Sequence, residues 1–136
     1  MNSQNIAIVS CRVDAYPARH ELRDALDQQL SLWLQQLGLT PLLLPNTLQP
    51  QALPALLDQM QPALLVLSGG NDIGLYPTRD VLETALLDQA RQRQLSVLGI
   101  CRGMQILAQY AGTGLCPAQG HVASRQSPCT ARHLAR

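Results

Sequence analysis

One cysteine stands where a nucleophile would be placed. Residues 97–105 read V-L-G-I-C-R-G-M-Q, an apolar run that ends on Cys101 and passes at once into a helical pattern. Strand, sharp turn and helix in that order lift the turn residue out of the sheet. A thiolate so placed can attack an acyl carbon, and the start of a helix favours an anion. Gly99 and Gly103, two residues to either side, are expected to keep side chains from crowding the sulfur. The alternative is a buried structural cysteine at the end of a strand.

Attack on an acyl carbon creates an oxyanion, and backbone N–H donors have to face it beforehand. The sequence offers two sources. Ser68-Gly69-Gly70 follows the apolar run 63–67, and the Arg102 N–H opens the helix after Cys101. Gly69-Gly70 can also be read as a tight turn alone. The glycine fingerprints of dinucleotide and P-loop sites are absent. A cysteine nucleophile also needs a base, usually a histidine oriented by a carboxylate or amide. The candidates are His20, His121 and His133. His20 is expected in the solvated first turn of a helix. His121, in Gly120-His121-Val122, is within folding reach of Cys101, and His133 lies near the end. No Asp or Glu follows Asp88, so neither later histidine has a carboxylate close behind it.

The elements that would position these groups alternate. Strands are expected at 5–10, 40–44, 63–67 and 96–100. Residues 11–18 read as a loop. A helix is expected from about Arg19 to Leu37, on Leu22, Leu26, Leu30, Trp33 and Leu37, with Gly38 stopping it. A short helix is expected over 50–60. Another starts near Asp80, where Asp80 and Glu83 fit a capping box, and a last one runs from Arg102 to about Gly112. Such alternation gives an α/β fold with a parallel sheet, whose sites lie beyond the carboxyl ends of the strands. The loops 11–14, 68–72 and Cys101 should therefore converge. The pattern fails after Gly114. The reading is one domain over 1–125 and an irregular tail over 126–136.

Bulk properties exclude several classes. The 136 residues carry a net charge of +1, which argues against a nucleic-acid footprint or a polybasic membrane surface. Aromatics are 3% with no Phe, so base-stacking platforms are missing. No apolar run approaches membrane-spanning length, and the N-terminus lacks a basic-then-apolar leader, so a cytoplasmic protein is expected. Cys11, Cys101, Cys116 and Cys129 show no zinc-type spacing, so they read as free thiols, with no metal or cofactor expected.

Several stretches together resemble the class I glutamine amidotransferase superfamily, over roughly residues 5–123. They are Arg12-Val13, residues 23–28, Leu44-Pro45-Asn46, Leu67-Ser68-Gly69-Gly70-Asn71-Asp72, Arg79-Asp80 with Glu83, Gly99-Ile100-Cys101-Arg102-Gly103-Met104-Gln105, and Gly120-His121-Val122-Ala123. The closer resemblance is to the gamma-glutamyl hydrolase-like, peptidase C26-like branch, of gamma-glutamyl-GABA hydrolase type. It implies a three-layer α/β/α, flavodoxin-like domain. It implies hydrolysis of a small-molecule gamma-glutamyl amide through a thioester on Cys101, with Gly70 and Arg102 forming the oxyanion hole. Gln105, Arg12 and His121 would line the substrate pocket; without the resemblance Gln105 is an ordinary first-turn residue. The segments 23–28 and Asp80 to Glu83 would be scaffold.

The family also carries a His-x-Glu motif several tens of residues beyond its cysteine, and no such motif occurs between Cys101 and Arg136. The resemblance therefore implies a member incomplete at its C-terminus, truncated or frame-shifted, with impaired turnover. An uncovered sheet edge would make it marginally stable or associated with a partner. Two other readings stay open: an inactive fragment or small-ligand-binding module, and a glutaminase subunit of a synthase. A homo-oligomer or a synthase partner fits these readings.

Overall fold

Four apolar runs form one parallel sheet; the two central ones are buried on both faces over residues 7–10 and 65–67, whereas Leu42 and Leu43 of an outer run are 37% and 51% exposed. The structure, a computed structural model, describes residues 4–112. Its sheet strands are β1 (Gln4–Ser10), β4 (Thr40–Leu44), β5 (Pro62–Leu67) and β6 (Ser96–Gly99). All pair in parallel, in the order β4-β1-β5-β6. The helices are α1 (Gln28–Gln36), α2 (Leu53–Met60), α3 (Pro77–Arg93) and α4 (Arg102–Tyr110).

Alternate residues of each strand face opposite sides. Ala7, Val9 and Val66 pack with Leu34 of α1, while Ile8, Leu65 and Leu67 pack with leucines of α2 and α3 and with Ile106 of α4. One helix thus covers one face of the sheet and three cover the other. This is the expected α/β fold, layered helix–sheet–helix.

The main correction lies between β1 and β4. Residues 12–25 form an antiparallel hairpin, β2 (Arg12–Tyr16) with β3 (Glu21–Ala25), where a loop and the first turns of a helix were expected. Local pairing outweighs the helical spacing. Asp14 sits opposite Arg23, and the Arg23 guanidinium lies 4.1 Å from the centre of the Tyr16 ring. Leu22 is 67% exposed and anchors nothing. His20 occupies the hairpin's turn at φ 52°, not a helix.

Helix α1 begins later, where Asp27 accepts a hydrogen bond from the Gln29 N–H at 2.9 Å. Leu26 and Leu30 pack half-buried towards the sheet as expected and Leu34 is buried, but Trp33 and Leu37 are exposed, so the expected stripe holds at Leu26 and Leu30 and slips by one residue at Trp33. The expected stop holds. Gly38 has φ +83°, and the Leu39 N–H returns to the Leu34 carbonyl at 3.0 Å.

Helix α3 starts at Pro77, three residues before Asp80, and Tyr76 at its N-cap makes no side-chain bond. Asp80 and Glu83 therefore form no capping box. The expected boundary at residue 125, the tail, His121, His133, Cys116 and Cys129 lie outside the described residues.

Candidate active site

The carboxyl ends of β1, β5 and β6 lie side by side, so the three loops that follow them meet, as the alternation predicts. Their junction is held by specific bonds. The Ser68 N–H donates to Ser10 Oγ at 3.0 Å, and the Ser68 hydroxyl donates to the Ser10 carbonyl at 2.6 Å. One loop further out, Asn71 grips the hairpin. Its Oδ1 accepts from the Val13 N–H at 2.8 Å and its Nδ2 donates to the Val13 carbonyl at 3.0 Å. Asp24 fixes the hairpin's other strand, accepting from the Asn46 N–H at 3.1 Å and its Nδ2 at 2.8 Å.

Cys101 follows β6 and is exposed, with φ 52° and ψ −109°. That is a strained conformation for a residue with a side chain. It turns the chain sharply from strand into α4. The two flanking glycines have a different role from the one expected. A Cβ on Gly103 would sit 2.0 Å from the Leu67 carbonyl oxygen, and one on Gly99 would sit 2.6 Å from Leu107 Cδ1. They let α4 seat on the sheet. The glycine beside the sulfur is Gly69, whose Cβ position lies 3.4 Å from Cys101 Cβ and 4.0 Å from its Sγ.

Gly70 has φ +86°, and its Cβ position is 3.0–3.2 Å from Arg12 side-chain atoms. The structure therefore brings Arg12, Gly70 and Cys101 into one neighbourhood. Arg12 Nε also donates to Asp14 at 2.8 Å in an exposed pair. Gln105 is exposed, and its N–H reaches the Cys101 carbonyl at 3.2 Å, one turn along α4. Arg102 is buried at 4% exposure, and its guanidinium turns back beneath the site. It donates to both Glu83 and Asp80. Glu83 also accepts from Arg79 Nε at 3.0 Å, and both of those side chains are fully buried. Sequence reasoning gave Arg79 no role and Glu83 only that of scaffold. Their charge types inside an otherwise amphipathic helix were the available signal, because a buried charge requires a partner.

The hairpin tip carries His20, the one histidine among the described residues, remote from the strand ends that form the junction. His121 lies outside the described residues. The other thiol among the described residues, Cys11, is buried at 1% exposure, and burial pushes it up to about 11, with the nearby Asp24 carboxylate acting in the same direction. Among the described residues no cluster of His, Cys, Asp and Glu could hold a metal ion. No helix among them is long and apolar enough to cross a membrane.

Residues 5–122 match the family model of peptidase C26. The chain is 31% identical over 130 residues to the gamma-glutamyl-gamma-aminobutyrate hydrolase of Escherichia coli O157:H7, covering 85% of this chain and 49% of that protein. It is 31% identical over 68 residues to the gamma-glutamyl-CDP-amidate hydrolase of Campylobacter jejuni, covering 46% of this chain and 34% of that protein. The chain thus spans about half, or less, of the length of these curated relatives.

Proposed function

Because the chain belongs to the peptidase C26 family, we propose that it acts on a gamma-glutamyl amide through a thioester on Cys101. Relatives named as hydrolases of gamma-glutamyl compounds support the substrate class. The observation that carries the reading is the strained, exposed turn at Cys101, set against Gly69 of the next loop. Strain of that kind persists only where the surroundings impose it.

In this reading the Cys101 sulfur bonds to the gamma-carbonyl carbon and the carbonyl oxygen becomes an oxyanion. The N–H groups of Gly70 and Arg102 stabilise it. Collapse breaks the C–N bond, and the amine leaves with a proton from a general acid. Water then cleaves the thioester, releasing glutamate and the thiol. The described residues supply the nucleophile and the donors; the general acid is not among them. Arg12, beside Gly70, and Gln105, one turn along α4 from Cys101, contact the glutamyl part.

The test is intact mass after incubation with a glutamine-analogue diazoketone, beside Cys101→Ser. A single adduct that disappears in the variant is the expected result. No adduct, or equal labelling of every cysteine, would overturn the reading.

A further inference from the structure

Arg79 is a completely buried cation that lies outside the reaction just described. Burying a guanidinium carries a penalty of several kcal/mol, so what it is bonded to is informative. Burial pulls its pKa down, the adjacent Glu83 carboxylate opposes that, and it remains a cation. Its Nη2 donates to the Ser68 carbonyl at 2.8 Å and reaches the Gly69 carbonyl at 3.3 Å. Its Nη1 donates to the Gly70 carbonyl and to Asn71 Oδ1 at 3.0 Å. Three successive carbonyls of one loop therefore converge on one side chain.

Every described peptide bond is trans. In a planar trans peptide the C=O and the following N–H point in opposite directions. Holding the carbonyls of residues 68–70 inward thus turns the N–H groups of Gly69, Gly70 and Asn71 away from Arg79. Among the described residues, no acceptor takes the N–H of Gly70 or of Arg102. Glu83 ties Arg79 to Arg102, so one buried carboxylate links the loop to the first residue of α4, with Asp80 as a second acceptor for Arg102.

We infer that Arg79 is a positioning residue: it presets the N–H groups of the 68–71 loop towards Cys101, and Glu83 holds that loop and the start of α4 at one spacing. The inference rests on the reading of Cys101 as nucleophile. A buried ion pair is a weak source of net stability. A group that fixes donors in advance acts strongly on a reaction that develops negative charge.

Two probes separate positioning from folding. Iodoacetamide alkylates a thiolate by displacing iodide and develops no oxyanion. The gamma-(4-nitrophenyl) ester of glutamate acylates the sulfur through an oxyanion, releases coloured 4-nitrophenolate, and needs no general acid to do so. Wild type should give a burst of nitrophenolate that is lost in Cys101→Ser. Arg79→Lys should slow that burst by about 10²-fold, the size of losing one oxyanion donor. Iodoacetamide should still label Cys101 at the wild-type rate. Glu83→Gln, which keeps the shape and removes one charge, should move the burst in the same direction by less.

Equal burst rates in wild type and both variants would overturn the inference while leaving the reading of Cys101 intact. Parallel loss of both reactions, or failure of both variants to fold by circular dichroism, assigns the ion cluster to structure alone and overturns it too. No Cys101-dependent burst in wild type removes the reading of Cys101, and the inference with it.

Discussion

Two cysteines lie near the same strand ends, and their surroundings make them different reagents. Cys11 follows β1 directly and lies in the core, and burial pushes its thiol up to about 11. Cys101, at the top of the turn, is exposed. Brief treatment with iodoacetamide at pH 8 should modify Cys101 and leave Cys11 untouched, as peptide mapping by mass spectrometry would show. Cys11 should react in the folded protein only as the pH approaches 11. The linkage has a definite sign. A folded-state value above the unfolded one favours the fold while the thiol keeps its proton, so this contribution is present below pH 9 and is lost as the pH rises towards 11. Chemical denaturation at pH 8 and pH 10.5, compared with Cys11→Ala, reads that loss directly. An unchanged difference between the two proteins would contradict the assigned environment.

Among the elements, the hairpin of β2 and β3 is the least anchored to the sheet, and Arg12 at its base brings it beside Gly70. Its attachments are the Asn71 grip on Val13 and the Asp24 bonds to Asn46. Asp24→Ala removes the second and leaves Asn46 Nδ2 with the Cys11 carbonyl alone. A cost of about 1–3 kcal/mol is expected, confined to this element. Limited trypsin digestion should then cut first after Arg19 or Arg23, whereas wild type resists. The hairpin was also the element hardest to read. Its leucine at 22 keeps helical spacing with 26 and 30, and only cross-strand charge and ring pairing, invisible to a periodic count, overrides it. The sheet strands were legible because each is a short apolar run ending in a turn residue. The elbow was legible for the same reason. The support beneath it was not. Asp80 and Glu83 have the spacing of a capping box, and only tertiary contact with Arg102 shows that they serve a buried ion cluster.

At the scale of the whole molecule, the site exists only once distant segments have joined. Ser10 and Ser68 are 58 residues apart in sequence, and their bonds hold two of the three loops together. Parallel pairing across such separations pays loop-closure entropy before any site geometry appears. The seam between the helix layer and the sheet is the contact of Gly103 with Leu67. Gly103→Ala would place a methyl 2.0 Å from the Leu67 carbonyl oxygen, and neither backbone can yield cheaply. A loss of about 3 kcal/mol or more is expected, at the upper end of what overpacking costs. Urea denaturation should show it as a lower midpoint, and a midpoint within error of wild type would mean that α4 does not seat this closely. The turn at Cys101 has a further consequence. Its backbone, at φ 52° and ψ −109°, holds on the order of 1–3 kcal/mol that is released if the first turn of α4 lifts. Lifting that turn leaves the pairing of β1 with β5 untouched. The nucleophile's segment can therefore fluctuate open at a lower free-energy cost than global unfolding, and its excursions are set locally rather than by the stability of the whole fold.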